Sequence, residues 1–311
     1  MKARVFGVFL AAATALSAPL FAQPQGKVLV VKLADGVYAG APSKGANVGW
    51  FVLGDGVVAI DSGGDNASAG DILRAIAETT GNKPVRTLIL THNHADHAGG
   101  ARAFAAAGAR VLCQEADAGL ILALVSHAAT RPDDPMYGKA ALKPVVESIA
   151  ERIILLDGVE SAQIFFLDSA HTKGDLVVYL PTDKVLFAGD LAANGHMPFM
   201  QSPDVDPLGW ERVLTALSQV PAEKVVPGHG DVGSKTMLTE TLAYVHAVNK
   251  VAKKLADSGV AESALDAQIR APENEIAGVT MSDAHAANIK SSVMAMKEKA
   301  AKAPPPTPAP K

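Results

Sequence analysis

Val85-Arg86-Thr87-Leu88-Ile89-Leu90-Thr91-His92-Asn93-His94-Ala95-Asp96-His97-Ala98-Gly99-Gly100 decides the fold and the chemistry of this chain. Its first six residues read as a short buried strand and the residues from Ala98 onward as a helix. Three imidazoles and a carboxylate therefore fall at a strand-to-helix turn. In α/β folds such turns carry the functional groups, because the carboxyl ends of strands open onto one edge of the sheet.

Around this stretch the chain alternates strands and helices. Val28 to Leu33, Val48 to Leu53 and Val57 to Ile60 are β-rich runs separated by glycine turns, as in an antiparallel meander. The pattern then becomes helix at Ala67 to Thr79, strand at Val85 to Leu90, helix at Gly99 to Ala107 and strand at Ala109 to Cys113. Glu115 to Ala129 reads as a helix closed by His127 as a capping cation, and the aperiodic Thr130 to Ala150 is placed over the mouth of the cluster. A second series follows: strands at Arg152 to Leu156, Gln163 to Leu167, Leu176 to Leu180 and Val185 to Ala188, a helix at Pro207 to Gln219, and a last strand at Val225-Val226. Two similar halves predict an α/β protein of two mixed β-sheets packed face to face, with helices outside: a four-layer αββα sandwich over residues 27–233. Helices at Lys235 to Ser258 and Ser282 to Lys302 form a C-terminal extension over 234–302, and 303–311 is a proline-rich extended tail.

Met1-Lys2-Ala3-Arg4 before the apolar run Val5 to Leu16 has the layout of a secretory signal, with cleavage placed after Ala22. A periplasmic or secreted location is expected, with no membrane span once residues 1–22 are removed. Removal of Lys2 and Arg4 leaves 26 basic against 32 acidic residues, so the net charge moves from -4 to -6. That balance argues against nucleic acid, which needs a basic face to neutralise phosphates, and a small-molecule substrate is expected instead. The single cysteine, Cys113, cannot form an intrachain disulfide and reads as a small buried hydrophobe.

A divalent metal needs several lone pairs aimed at one point, and His92-Asn93-His94 can supply two nitrogens to one ion. Asp96-His97 can supply an oxygen and a nitrogen to a second. Further donors follow strand-like runs: Asp61, His171 in Ser169-Ala170-His171-Thr172-Lys173-Gly174-Asp175, Asp190 in Phe187-Ala188-Gly189-Asp190, and His229 in Pro227-Gly228-His229-Gly230.

Taken together, Asp61, His92-Asn93-His94-Ala95-Asp96-His97, His171, Asp190 and His229 resemble the motif set of the metallo-β-lactamase-fold hydrolases. The resemblance covers roughly Val28 to Gly233 and implies the same αββα sandwich. It implies two zinc ions per chain, one held by His92, His94 and His171 and the other by Asp96, His97 and His229, with Asp190 between them. Asp61 is implied as a buttress that orients the ligands by hydrogen bonding. The implied reaction is hydrolysis of an ester, thioester, lactone or related bond by a hydroxide shared between two zinc ions, whose charge lowers the pKa of water towards ~7. As both ligand and hydrogen-bond acceptor, Asp96 is the candidate for orienting the hydroxide and passing a proton to the leaving group.

Members with β-lactamase activity generally carry Cys or Ser where this chain has Asp190, whereas glyoxalase-II-like thioesterases and lactonases carry Asp. The resemblance thus favours the second type and keeps β-lactam cleavage as the alternative. Iron-dependent redox enzymes of the same fold, and a non-catalytic periplasmic metal-binding protein, are two further alternatives. His196 and Asn194, six and four residues past Asp190, are candidates for lining the pocket, His196 also for proton transfer. Phe199, Met200, Trp50 and Phe51 are candidates for an apolar wall or the core. His246 and His285 read as structural, Thr172, Gly174 and Asp175 as turn formers, and Trp210 as the buried anchor of its helix.

Overall fold

The computed structural model describes residues 27–126, 134, 143–276 and 278–302. The expected signal segment, His127, most of Thr130 to Leu142 and the proline-rich tail lie outside the described residues.

The first sheet runs in order β1 (Leu29–Ala34), β2 (Val37–Ala41), β3 (Val48–Leu53), β4 (Gly56–Ile60), β5 (Val85–Ile89), β6 (Arg110–Gln114) and β7 (Val146–Ile149). Its first four strands are antiparallel, and β4 to β7 are parallel. The parallel half needs crossovers, which are supplied by α1 (Asn66–Thr80), by α2 (Ala95–Ala98) with α3 (Ala101–Ala106), and by a segment containing α4 (Ala118–Ser126). The second sheet runs β12 (Lys224–His229), β11 (Val185–Ala193), β10 (Leu176–Leu180), β9 (Glu160–Phe166) and β8 (Arg152–Asp157), antiparallel except for the parallel β11–β12 pair. Helices α5 (Pro207–Leu217), α6 (Thr236–Asp257), α7 (Glu262–Ile269) and α8 (Asp283–Lys302) accompany it. Two mixed sheets with flanking helices are the expected α/β architecture.

Three apolar layers hold it together. Phe51, Ile60, Ile89, Leu112, Val178 and Phe187 fill the space between the sheets. Trp50, Ile72, Ile76, Leu88, Phe104 and Val111 pack the first sheet against its helices. Val177, Leu186, Trp210, Leu214, Leu238 and Ile289 pack the second sheet against α5, α6 and α8, so the C-terminal helices share a core with that sheet. Gly49 marks a close sheet-to-sheet approach: a Cβ there would sit 2.2 Å from the Phe187 ring.

Several element boundaries differ from the sequence expectation. β2, β7 and α7 are additional elements. β2 pairs on both sides although Gly40 and alanines dilute its β signal, because Tyr38 stacks on Trp50 at 5.7 Å between ring centroids. The helix after β5 begins at Ala95 rather than Ala98, so Asp96 and His97 lie in its first turn. Finally, β11 continues through Asp190 to Ala193, making that carboxylate part of a strand and not of a loop.

Candidate metal centre

The residues of the opening stretch are anchored from both sheets. Leu176 of β10 donates its N–H to the Thr91 carbonyl at 2.7 Å, and the His97 carbonyl accepts from Ser62 N and Oγ at 2.7 and 2.8 Å. Ala46 N donates to the Asp96 carbonyl at 3.1 Å, and Asn47 N to the Gly228 carbonyl at 2.8 Å, which brings the His229 turn alongside. Gly228 allows that approach, since a Cβ there would lie 1.8 Å from Asp190 Oδ1.

Within this frame the sequence candidates converge as two sets. His92, His94, His171 and Asp190 present one ligand atom each within 4.8 Å of one another, and so do Asp96, His97 and His229. His171 Nε2 is 3.0 Å from His94 Nδ1 and 3.4 Å from Asp190 Oδ2. In the other set His229 Nε2 is 3.0 Å and His97 Nε2 3.8 Å from Asp96 Oδ2. Asp190 faces both: its Oδ1 lies 3.2 Å from His97 Nε2 and 3.7 Å from His229 Nε2, while its Oδ2 faces His171.

Asp61 sits behind the second set. It adopts φ +60°, a left-handed conformation that Asp tolerates better than most residues. Its Oδ2 is 2.8 Å from His97 Nδ1, and it accepts from Thr91 N at 2.8 Å and Thr91 Oγ1 at 2.8 Å. The bond to Nδ1 points the His97 Nε2 lone pair towards Asp96 and Asp190. His171 is oriented in the same manner by the Phe199 carbonyl, 3.0 Å from its Nδ1.

Electrostatics prepare the site for a cation. Burial and neighbouring imidazoles hold His92 well below the usual histidine range, and burial pushes His171 down to about 4, so both keep free lone pairs at neutral pH. Burial would raise Asp190, but His97, His171 and His92 hold it well below the carboxylate range. The His229 hydrogen bond lowers Asp96. Burial would depress His97, yet Asp61 and Asp190 on either side hold it well above its usual range, and Asp96 raises His229. Protons on these two imidazoles occupy the place where a metal would put its charge.

The donor set fits a metal on independent grounds. Among the described residues His92 Nε2 is a buried polar atom without a hydrogen-bond partner, while His97 Nε2 and Asp190 Oδ1 face each other at 3.2 Å, and all three belong to the cluster. Buried polar atoms left unpaired cost about 1–3 kcal/mol each, a cost that a shared cation removes. The imidazole-rich, carboxylate-containing chemistry suits zinc.

The remaining candidates divide. Phe199 is 50% exposed, and its ring lies edge-on to His94 and His171 at 6.4 and 6.3 Å, an apolar wall beside the first set. Met200, Trp50 and Phe51 are buried core residues. His196 is exposed and lines a separate cleft of about 410 Å³ with Met197, Tyr244 and Thr280, outside both ligand sets. Asn194 Nδ2 donates to the Asp231 carbonyl at 2.9 Å. Thr172 N and Oγ1 both donate to Asp175 at 2.8 Å, closing the turn after His171. Trp210 is buried and donates Nε1 to the Leu191 carbonyl. Cys113 is buried, its thiol pushed up to about 12 by burial and by Asp117. His246 pairs with Glu211 at 2.7 Å.

Sequence reasoning misses two contributors. Thr91 bonds both Asp61 and, at 3.1 Å, His92 Nδ1. Asn93 donates to Asp117 Oδ1 at 2.6 Å, pinning the turn between the first two ligands, and burial pushes Asp117 up to about 6. The place of Thr91 two residues past the end of β5, immediately before His92, is a signal that could have found it; Asp117 carries no local signal.

Comparison with known proteins agrees with this geometry. In the curated set the chain is 28% identical over 175 residues to 2,4-dinitroanisole O-demethylase subunit alpha from Nocardioides sp. (strain JS1661), spanning 56% of this chain and about half (49%) of that protein. It is 26% identical over 240 residues to metallo-beta-lactamase type 2 from Elizabethkingia meningoseptica, covering 72% of this chain and 88% of the relative. Among solved structures, a metallo-beta-lactamase from Pontibacter korlensis superposes with TM-score 0.58 at 25% identity, covering 71% of this chain and 99% of that one. Residues 44–229, more than half of the chain and all of the ligand sets, match the family model of the metallo-beta-lactamase superfamily. The chain belongs to the metallo-beta-lactamase superfamily.

Proposed function

We propose that the protein is a dinuclear zinc hydrolase of the Asp190-bridged, glyoxalase-II-like type, cleaving an ester, thioester, lactone or related bond outside the cytoplasm. The observation that carries this reading is the Asp190 carboxylate, which turns one oxygen to each ligand set. His92, His94 and His171 would hold one ion, Asp96, His97 and His229 the other, and Asp190 would reach both. Bound there, zinc supplies Lewis acidity for the scissile carbonyl and a water ionised near neutral pH.

The chain's own residues do the rest. Asp96 and His229 have side chains 42% and 43% exposed, while those of His97 and His171 are fully buried, so the cluster opens on the Asp96 side. A substrate entering there meets the half-exposed Phe199 ring, which suits an apolar portion beside the scissile bond. Asp96 Oδ2, 3.0 Å from His229 Nε2, can accept a proton from the attacking water and return it to the leaving group. Asp61 stays out of reach of substrate and holds His97.

β-Lactam cleavage is the second reading, favoured by metallo-beta-lactamase relatives of whose own length the match covers 88% and 99%. A panel of ester, thioester, lactone, phosphodiester, sulfate and β-lactam reporters separates the two. An aryl methyl ether joins the panel because one relative bears the name of an O-demethylase. Activity lost with chelator and in His94→Ala is expected on an ester-like reporter. Asp96→Asn is expected to cut kcat by about 10²–10⁴-fold with KM little changed. Two bound metals with no hydrolysis of any reporter would refute the reading, and a chain that hydrolyses β-lactams alone would establish the second.

A further inference from the structure

The loop carrying Phe199 is gripped from behind by the C-terminal helices. Asn288 of α8 donates Nδ2 to the Pro198 carbonyl at 2.8 Å, and its Oδ1 accepts from Met200 N at 3.2 Å. Those are the residues on either side of Phe199, whose own carbonyl faces His171 Nδ1. Asn288 Nδ2 also donates to Tyr244 Oη of α6 at 2.9 Å, and that hydroxyl lies 2.9 Å from His285 Nδ1. Asn288 is 1% exposed, so both its amide groups are spent inside the protein.

Helix stability does not explain an asparagine there, because Asn is a poor residue for a helix interior. Nor does core packing, since Ile289 and Val293 fill the neighbouring core positions with apolar atoms. What the amide does is bond two backbone groups that bracket the Phe199 carbonyl, fixing the direction in which that carbonyl points. Its direction in turn holds the proton of His171 on Nδ1 and leaves Nε2 free towards His94 and Asp190.

We propose that Asn288 is a positioning residue for His171, making the C-terminal helices a working part of the first ligand set. This rests on the metal-centre reading above. The test is zinc titration of the chelator-stripped full chain against a chromophoric competitor, with His94→Ala identifying the step that belongs to His92, His94 and His171. Asn288→Leu keeps the side-chain volume and removes both amide groups. It is expected to weaken that step by about 10–100-fold while leaving the Asp96, His97 and His229 step within about twofold. Equal weakening of both steps, or of neither, overturns the proposal, because a merely structural Asn288 has no reason to favour one set. Where Asn288→Leu does not fold, Tyr244→Phe, which removes only the hydroxyl that Asn288 bonds, is judged by the same inequality.

A metal-free readout separates the two readings. Imidazole ¹⁵N NMR of the stripped wild type is expected to show His171 protonated on Nδ1, with mixed tautomers in the Asn288 variant. Identical tautomers in both proteins overturn the positioning role even where metal binding stands. A wild type that binds no zinc overturns the metal-centre reading instead.

Discussion

Replacing Asp61 by Asn isolates one bond in the support of the second ligand set. Asn tolerates the φ of +60° at this position, and its remaining oxygen can still accept from Thr91 N. What it removes is the carboxylate oxygen 2.8 Å from His97 Nδ1, presenting either an amide N–H or a neutral oxygen there. A buried charge-assisted hydrogen bond contributes about 1.5–3 kcal/mol, so the loss corresponds to about 10–100-fold in affinity at the site containing His97. The same range is expected for removing the partner that orients a ligating imidazole. The assay is competitive zinc titration of Asp61→Asn beside wild type, with urea unfolding of both metal-free proteins as a control on folding. The His97-containing step is expected to weaken and the step containing His171 to change little. An affinity within about twofold of wild type at both steps would refute the buttress role, since no bond in this range could then be present.

The other predictions are simpler. Gly228→Ala places a Cβ where Asp190 Oδ1 now lies, and is expected to weaken zinc binding at least about tenfold; unchanged affinity by the same titration would show that Asp190 is free to move aside. Zinc at about a hundredfold excess over its dissociation constant is expected to stabilise the fold by about 2.7 kcal/mol, read as a rise in Tm that chelator reverses; no shift would mean that the folded state binds no metal. Metal-free His171 titrates at about 4 against 6.5 unfolded, so the unfolded chain binds more protons between these values. Its contribution to stability is therefore present above pH 6.5 and lost as the pH falls to about 4, a change of about 3 kcal/mol. Urea unfolding of wild type minus His171→Phe across that window measures it, and a flat difference refutes it. Trp210→Ala, opening a cavity in the layer between the second sheet and its helices, is expected to cost about 3–5 kcal/mol by urea unfolding, and less than about 1 kcal/mol would contradict its anchoring role.

What the sequence determined by itself is the set of candidate metal ligands and the layer order. His92 to His97 was legible because its four donors lie within six residues, where local geometry alone keeps them together. Strand and helix periodicity announced both sheets, and each later donor, His171, Asp190 and His229, betrayed itself by following an apolar run. The weak elements were not legible. β7 is four residues long with two exposed polar ones, and it is a strand because β6 offers it an edge. Asp190 read as a loop residue because Gly189 precedes it, yet β12 carries the strand onward beside it.

The resemblance already divided the donors into two sets; only the tertiary structure decided which of them each Asp190 oxygen meets. Asp190 lies far along the chain from both Asp96 and His97, with no local pattern linking them, and its two oxygens acquire different partners through the meeting of two sheets. The same holds for Asn288, an ordinary helix residue in sequence that reaches the site through a loop 88 residues away. Periodicity reports which face of an element is buried; it carries no information about which distant backbone group a buried amide will meet, and that is where the ligand orientation is set.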